Sequence, residues 1–75
     1  MSIQDDCIAY LTRLSDAATV MTTGSLASHF GHTRREGRRR VDRLAGAGFV
    51  RRVHGRGVAA NALGHMAAER MEPGE

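Results

Sequence analysis

Seventy-five residues, 41% of them apolar, suffice for one small domain with a modest core. The only aromatics are Tyr10, Phe30 and Phe49, so Leu, Val, Ile, Ala and Met are expected to fill that core. The chain has no apolar run near the length of a membrane span, no signal-peptide pattern and a lone Cys7, which together exclude a membrane helix and an internal disulfide and point to a cytoplasmic protein. Nine of the eleven basic residues, all arginine, lie between Arg34 and Arg56, opposed only by Glu36 and Asp42; that stretch carries +7 and the other 52 residues −4. Charge concentrated in this way is the footprint of a surface built for a polyanion.

In chain order, Ser2 with Asp5 three residues on is a capping-box-like start, and Asp5 and Asp6 suit the first turn of a helix. Helix 1 is expected over about 3–14, with Cys7, Ile8, Leu11 and Leu14 as its apolar stripe. Ser15 to Thr19 read as a connector and Val20-Met21 as a brief extended segment. Thr22 or Thr23 then caps a second helix over about 23–30, packed through Leu26, Ala27 and Phe30. Gly31 ends that helix in the left-handed conformation glycine favours, and Thr33 caps a third over about 34–45, buried along Val41 and Leu44.

Two helices parted by about three residues form a helix-turn-helix. Gly46 and Gly48 break the helical period. The β-favouring run Phe49-Val50-Arg51-Arg52-Val53, the turn His54-Gly55-Arg56-Gly57 and Val58-Ala59-Ala60 then read as a hairpin spanning about 49–60. A last helix over about 62–71 is expected to bury Leu63, Met66 and Ala67, with Pro73-Gly74 opening a loose tail.

This order resembles the winged helix-turn-helix family of transcriptional regulators. Leu26-Ala27, Phe30 and Gly31 are similar to the family's second helix, L-A-x-x-[LF]-G; Val41, Leu44, Ala47, Gly48, Phe49 and Val50 are similar to the end of its recognition helix and the entry to its wing. The match covers roughly residues 20 to 70. It implies a single mainly α domain with a small β-hairpin (α+β), spanning residues 1–75: a three-helix core, a wing and a C-terminal helix. Two positions depart from the family pattern. His32 stands in the turn where a small aliphatic residue is usual, and Gly37 stands where Val or Ile is usually buried, leaving a space for Phe30 or His32 to fill.

With Gly37, Val41 and Leu44 inward and about 100° per residue, Arg35 and Arg39 lie opposite the buried stripe, flanked by Glu36, Arg38, Asp42 and Arg43. Guanidinium groups there match the guanine acceptors of a major groove, so Arg35, Arg39 and Arg38 are candidate base readers, and Glu36 a candidate acceptor from cytosine. Arg34 and Arg43, toward the sides, are candidates for phosphate contact, and Thr33 at the helix start is a further DNA-binding candidate. Arg40 leans toward the buried side as a packing or ion-pair residue. The amino end of helix 2, near Thr23 and Ser25, offers amides to a phosphate. Arg51, Arg52 and the turn residue Arg56 extend the same grip to the backbone or an adjacent minor groove.

Other chemistries find little in the chain. His29 and His32 are three residues apart, yet without a Cys pair or clustered carboxylates they make a poor metal site, and no cofactor is expected. Arg38 with Asp42 is a good i,i+4 ion pair that needs no ligand. Cys7 reads as a small core residue. No catalytic pattern or phosphate loop is present, so an enzyme is not expected. The expected function is sequence-specific binding of double-stranded DNA, as a small repressor occupying an operator. A homodimer through helix 1, the C-terminal helix or both would match a palindromic site. The alternatives are an interaction module docking an acidic protein and a nucleic-acid binder without sequence preference.

Overall fold

A computed structural model of the chain describes residues 5–17, 19–55 and 57–70. Among them are four helices, α1 (Asp5–Ala17), α2 (Thr23–His29), α3 (Arg34–Gly46) and α4 (Ala62–Arg70), and three short strands, β1 (Met21–Thr22), β2 (Val50–Val53) and β3 (Gly57–Ala60). The fold is therefore mainly helical with a small antiparallel sheet, as expected. The strand order is β1-β3-β2, so β3 is central: Met21 faces Val58 on one side, and Val50 to Val53 face Ala60 to Gly57 on the other. The brief extended segment thus becomes the third strand, one residue later than Val20-Met21.

Helix α1 buries Cys7, Tyr10, Leu11 and Leu14, the i, i+3, i+4, i+7 stripe of one helical face. Tyr10, fully buried, takes the place expected for half-buried Ile8. The helix runs on through Ser15, Asp16 and Ala17, where a connector was expected, and Ser15 Oγ is hydrogen-bonded to His65 Nδ1 on α4 at 2.8 Å. The expected start at Ile3 lies outside the described residues. Aromatic packing also contributes more than composition suggests. Phe30 stacks on Tyr10 at 4.8 Å between centroids, His32 stacks on it at 5.7 Å, and the Tyr10 hydroxyl is hydrogen-bonded to His32 Nδ1 at 2.8 Å. Burial pushes the Tyr10 phenol above its ordinary 10.0, so it stays protonated and available to that bond.

Both ends of the α2–α3 pair follow local rules. Thr22 caps α2, its Oγ1 accepting the Ser25 amide at 3.0 Å. Each helix closes on a Schellman motif: His32 N donates to Ala27 O and Gly31 N to Ser28 O after α2, and Phe49 N donates to Leu44 O and Gly48 N to Ala45 O after α3. These bonds require a left-handed residue just past each helix, supplied by Gly31 (φ 72°) and Gly48 (φ 84°). Gly37 does face inward with Val41 and Leu44, but no space lies beneath it for Phe30 or His32. A Cβ there would stand 2.6 Å from Ala27 Cβ and 3.4 Å from Thr23 O, so α2 and α3 are already in close backbone approach.

Helix α4 buries Ala67 as expected, but not the expected Leu63 and Met66. Its buried residues are Gly64, Ala67 and Ala68, while Leu63 and Met66 are each 52% exposed. Small side chains let α4 lie close against the core: a Cβ on Gly64 would overlap the Phe49 carbonyl oxygen and approach Leu11 Cδ1 to 3.2 Å. Asn61 fixes that seating, its Oδ1 accepting the Gly64 amide and its Nδ2 donating to Gly48 O, both at 2.8 Å. The expected final helical residue Met71 and the tail lie outside the described residues. Cys7, Leu11, Leu14, Leu26, Val41, Leu44, Val50 and Val58 complete one core beneath all these elements.

Gly37→Ala should destabilise the fold by about 1–3 kcal/mol in urea denaturation, because overpacking against Ala27 outweighs the roughly 1 kcal/mol helix-propensity gain. Ala27→Gly added to it should recover part of the loss. An unchanged or raised midpoint for Gly37→Ala would refute the close approach.

Candidate nucleic-acid interface

The arginines divide by what they touch. Arg40, on the inner shoulder of α3, is joined to Asp6 of α1 at 2.5 Å, donates from Nη1 to Glu36 O at 2.9 Å and holds its guanidinium carbon 6.0 Å from the Tyr10 ring centroid. Its expected packing and ion-pair role is the one it has. Arg52 on β2 is paired with Asp42 on α3, both exposed. Arg38 and Asp42 therefore do not form the i,i+4 pair that their spacing allows. Among the described residues these are the two ion pairs. Arg34, Arg35, Arg38, Arg39, Arg43 and Arg51 are all exposed and make none with another described residue.

Two open clefts border these side chains. The first, about 720 Å³, is lined by Thr22, Thr23, Gly24, Arg34, Arg35, Arg38, Arg52 and Gly55, so it lies between the start of α2, the first turns of α3 and the hairpin turn. The second, about 640 Å³, is lined by Asp6, Cys7, Arg39, Arg40, Asp42 and Arg43, between α1 and the outer face of α3. The structure thus brings Arg34, Arg35, Arg38 and Arg52 together and sets Arg39 and Arg43 on the other side of the α3 ridge. Arg35 and Arg39, expected as a matched pair, border different clefts. Arg51, facing Ala59 across the strand pair, lines neither. Arg56 lies outside the described residues.

Two expected contacts are altered by local structure. Glu36 does not reach outward for a base: its Oε1 accepts the Thr33 amide at 2.8 Å while Thr33 Oγ1 accepts the Glu36 amide at 3.2 Å, a complete capping box. Those hydrogen bonds with Thr33 hold the Glu36 carboxyl below its ordinary 4.5. The Ser25 amide, expected to be free for a phosphate, is taken by Thr22. Thr23 borders the first cleft, beside the arginines.

His29 and His32 are drawn into separate contacts, His29 edge-on to Phe30 and His32 on Tyr10. Among the described residues no three His, Cys, Asp or Glu side chains group as a metal site. Cys7 is buried, and burial, followed by the neighbouring Asp6 carboxylate, pushes its thiol above the ordinary 9.0. Of the Cys7, Ile8, Leu11 and Leu14 stripe expected as a dimer surface, Cys7, Leu11 and Leu14 are closed inside the core and Ile8 is half-buried, whereas α4 exposes Leu63 and Met66. Among the described residues, no helix is long and apolar enough to cross a membrane.

Sequence reasoning missed the partners of two carboxylates. Asp6 and Asp42 read as a first-turn acid and an intrahelical ion-pair partner, and nothing in their spacing points to Arg40 and Arg52. Comparison of the chain with models of known protein families and with curated proteins finds no match.

Thr33→Ala should lower stability by about 1 kcal/mol through loss of the cap. The depressed Glu36 carboxyl contributes stability above its unfolded value, and that contribution is lost as pH falls through the lower folded value. Glu36→Gln, which keeps a capping-box acceptor, should melt near wild type at pH 7 and show a flatter loss of melting temperature below about pH 4.5. An acid limb as steep as that of wild type would contradict this role for Glu36.

Proposed function

We propose that the chain is a winged helix-turn-helix regulator that binds double-stranded DNA by sequence, with α3 as the recognition helix in the major groove and the β2–β3 hairpin as the wing. The observation carrying this reading is the set of six exposed arginines without ion pairs on α3 and β2, beside a neutral core. A solvated helix face that served only stability would interleave these charges with acids, and here Glu36 is held in a cap while Asp42 is held by Arg52.

Within this reading Arg35, Arg38 and Arg39, on the outward turns of α3, meet base edges, where a bidentate guanidinium suits guanine. Arg34, beside the start of α2, and Arg43, Arg51 and Arg52 meet phosphates and fix the register. Regulation is by occupancy of an operator as a repressor. A homodimer, if two half-sites are used, forms through α4 and not through the buried α1 stripe.

Selection of bound sequences from a random duplex library tests the reading directly. A recurrent site should emerge, and log affinity should fall with log salt at a slope of about −0.9 per phosphate contacted. Arg35→Ala or Arg38→Ala should reduce discrimination by about 1–3 kcal/mol at one base position, whereas Arg51→Ala should weaken every sequence alike and reduce the slope by about one. Random duplex binding as tightly as any selected site would reduce the protein to a non-specific binder. No duplex binding at low salt would leave an acidic protein as the partner.

A further inference from the structure

Asp42 stands in the wrong place for a purely attractive grip on DNA. It lies one turn after Arg38 and Arg39 on the exposed face of α3, next to Arg43, and it borders the cleft of Arg39 and Arg43. Its carboxylate holds the guanidinium of Arg52, which belongs to the other cleft, so the pair bridges the ridge between them and ties the hairpin to the helix. Both side chains are about half exposed, at 51% for Arg52 and 54% for Asp42, so an incoming anion can reach them.

A carboxylate holding a guanidinium occupies the donors a phosphate would otherwise receive. It also repels any phosphate lying over the middle of α3. Both effects oppose contacts made through the backbone alone, which every sequence offers equally. Neither opposes a base edge in the groove that donates a hydrogen bond, as cytosine N4 does.

Resting on the DNA-binding reading above, we propose that Asp42 is a selectivity residue: as an internal competitor for Arg52 it suppresses binding to duplex of arbitrary sequence. Arg52 is released to the backbone only when the rest of the interface is engaged. The residue acts by lowering the affinity of the wrong complexes, an arrangement that raises specificity without adding a favourable contact.

The test is Asp42→Asn, which keeps the size of the side chain and removes the charge that holds Arg52. Binding to a random duplex, followed by fluorescence anisotropy over a salt series, should tighten about eightfold at 0.1 M salt, with a slope steeper by about 0.9, the signature of one added phosphate contact. In an Arg52→Ala background the same substitution should leave the slope unchanged. Asp16→Asn, an equal change in net charge at an exposed residue at the end of α1 opposite Asp6, should shift affinity less than twofold and leave the slope as it was.

If Asp42→Asn changes neither affinity nor slope while the wild type binds duplex, the competitor role fails and the DNA-binding reading survives. It also fails if the gain is the same without Arg52, since that reports a field effect of charge alone. If neither the wild type nor Asp42→Asn binds any duplex at low salt, the DNA-binding reading falls and the competitor role with it. Thermal melts of each variant, expected within a few degrees of wild type, separate lost binding from lost folding.

Discussion

Everything on the arginine surface depends on how closely α3 can approach α2. Gly37 rests on Ala27 with room for no further carbon, and Val41 and Leu44 continue the same inward line into the core. Glycine inside a helix is less favourable than alanine by roughly 1 kcal/mol, so its use here marks a steric demand and not a helix preference. Once that contact fixes the rotation of α3 about its axis, the directions of Arg35, Arg38, Arg39 and Arg43 follow from about 100° per residue. A larger residue at position 37 would lift or turn the helix and re-aim all four together.

The same geometry explains why one arginine of the run behaves differently. Arg40 falls on the inner shoulder of α3, where it meets Asp6, the Glu36 carbonyl and the Tyr10 ring instead of solvent. A guanidinium so placed is matched by charge and hydrogen bonds and is unavailable to a ligand. Charge counting along the sequence gives each arginine equal weight, whereas position relative to the buried line separates the structural Arg40 from the exposed remainder. The α1 end of this contact also brings a carboxylate close to Cys7, which with burial keeps the thiol protonated and structural.

Much of the fold was legible because it follows local rules. Gly31, Gly48, Thr22 and Thr33 carry backbone or side-chain properties that terminate and start helices regardless of what packs on them, and the hairpin follows from a β-favouring run and its glycine-rich turn. Helix α4 was placed correctly along the chain but rotated, because apolar periodicity weights Leu63 and Met66 above Gly64. The packing is instead decided by what can come close to the Phe49 carbonyl. Tyr10 is missing from the expected stripe, and nothing near it in sequence signals its burial: a buried phenol needs a hydrogen-bond partner, and His32, distant in sequence, is that partner. The site was legible to the extent that it is one helix face. The Asp42–Arg52 pair, joining residues ten apart through tertiary structure, had no periodic signature to reveal it.

That pair also bears on how the hairpin is held. Val50 at the base of β2 is buried, Arg51 and Arg52 beyond it are exposed, and Val53 is half-buried. Strand β2 is an edge strand, and two adjacent arginines on it discourage pairing with another sheet as well as presenting charge. Its anchorage to the core is thus concentrated at one end, while Asp42 holds it partway toward the turn. An exposed ion pair is worth only about 0–1 kcal/mol, little more than thermal energy. A link of that strength biases the hairpin toward α3 without locking it there. The placement of Arg52 is therefore better understood as a weak bond to α3 than as a contribution to the stability of the fold.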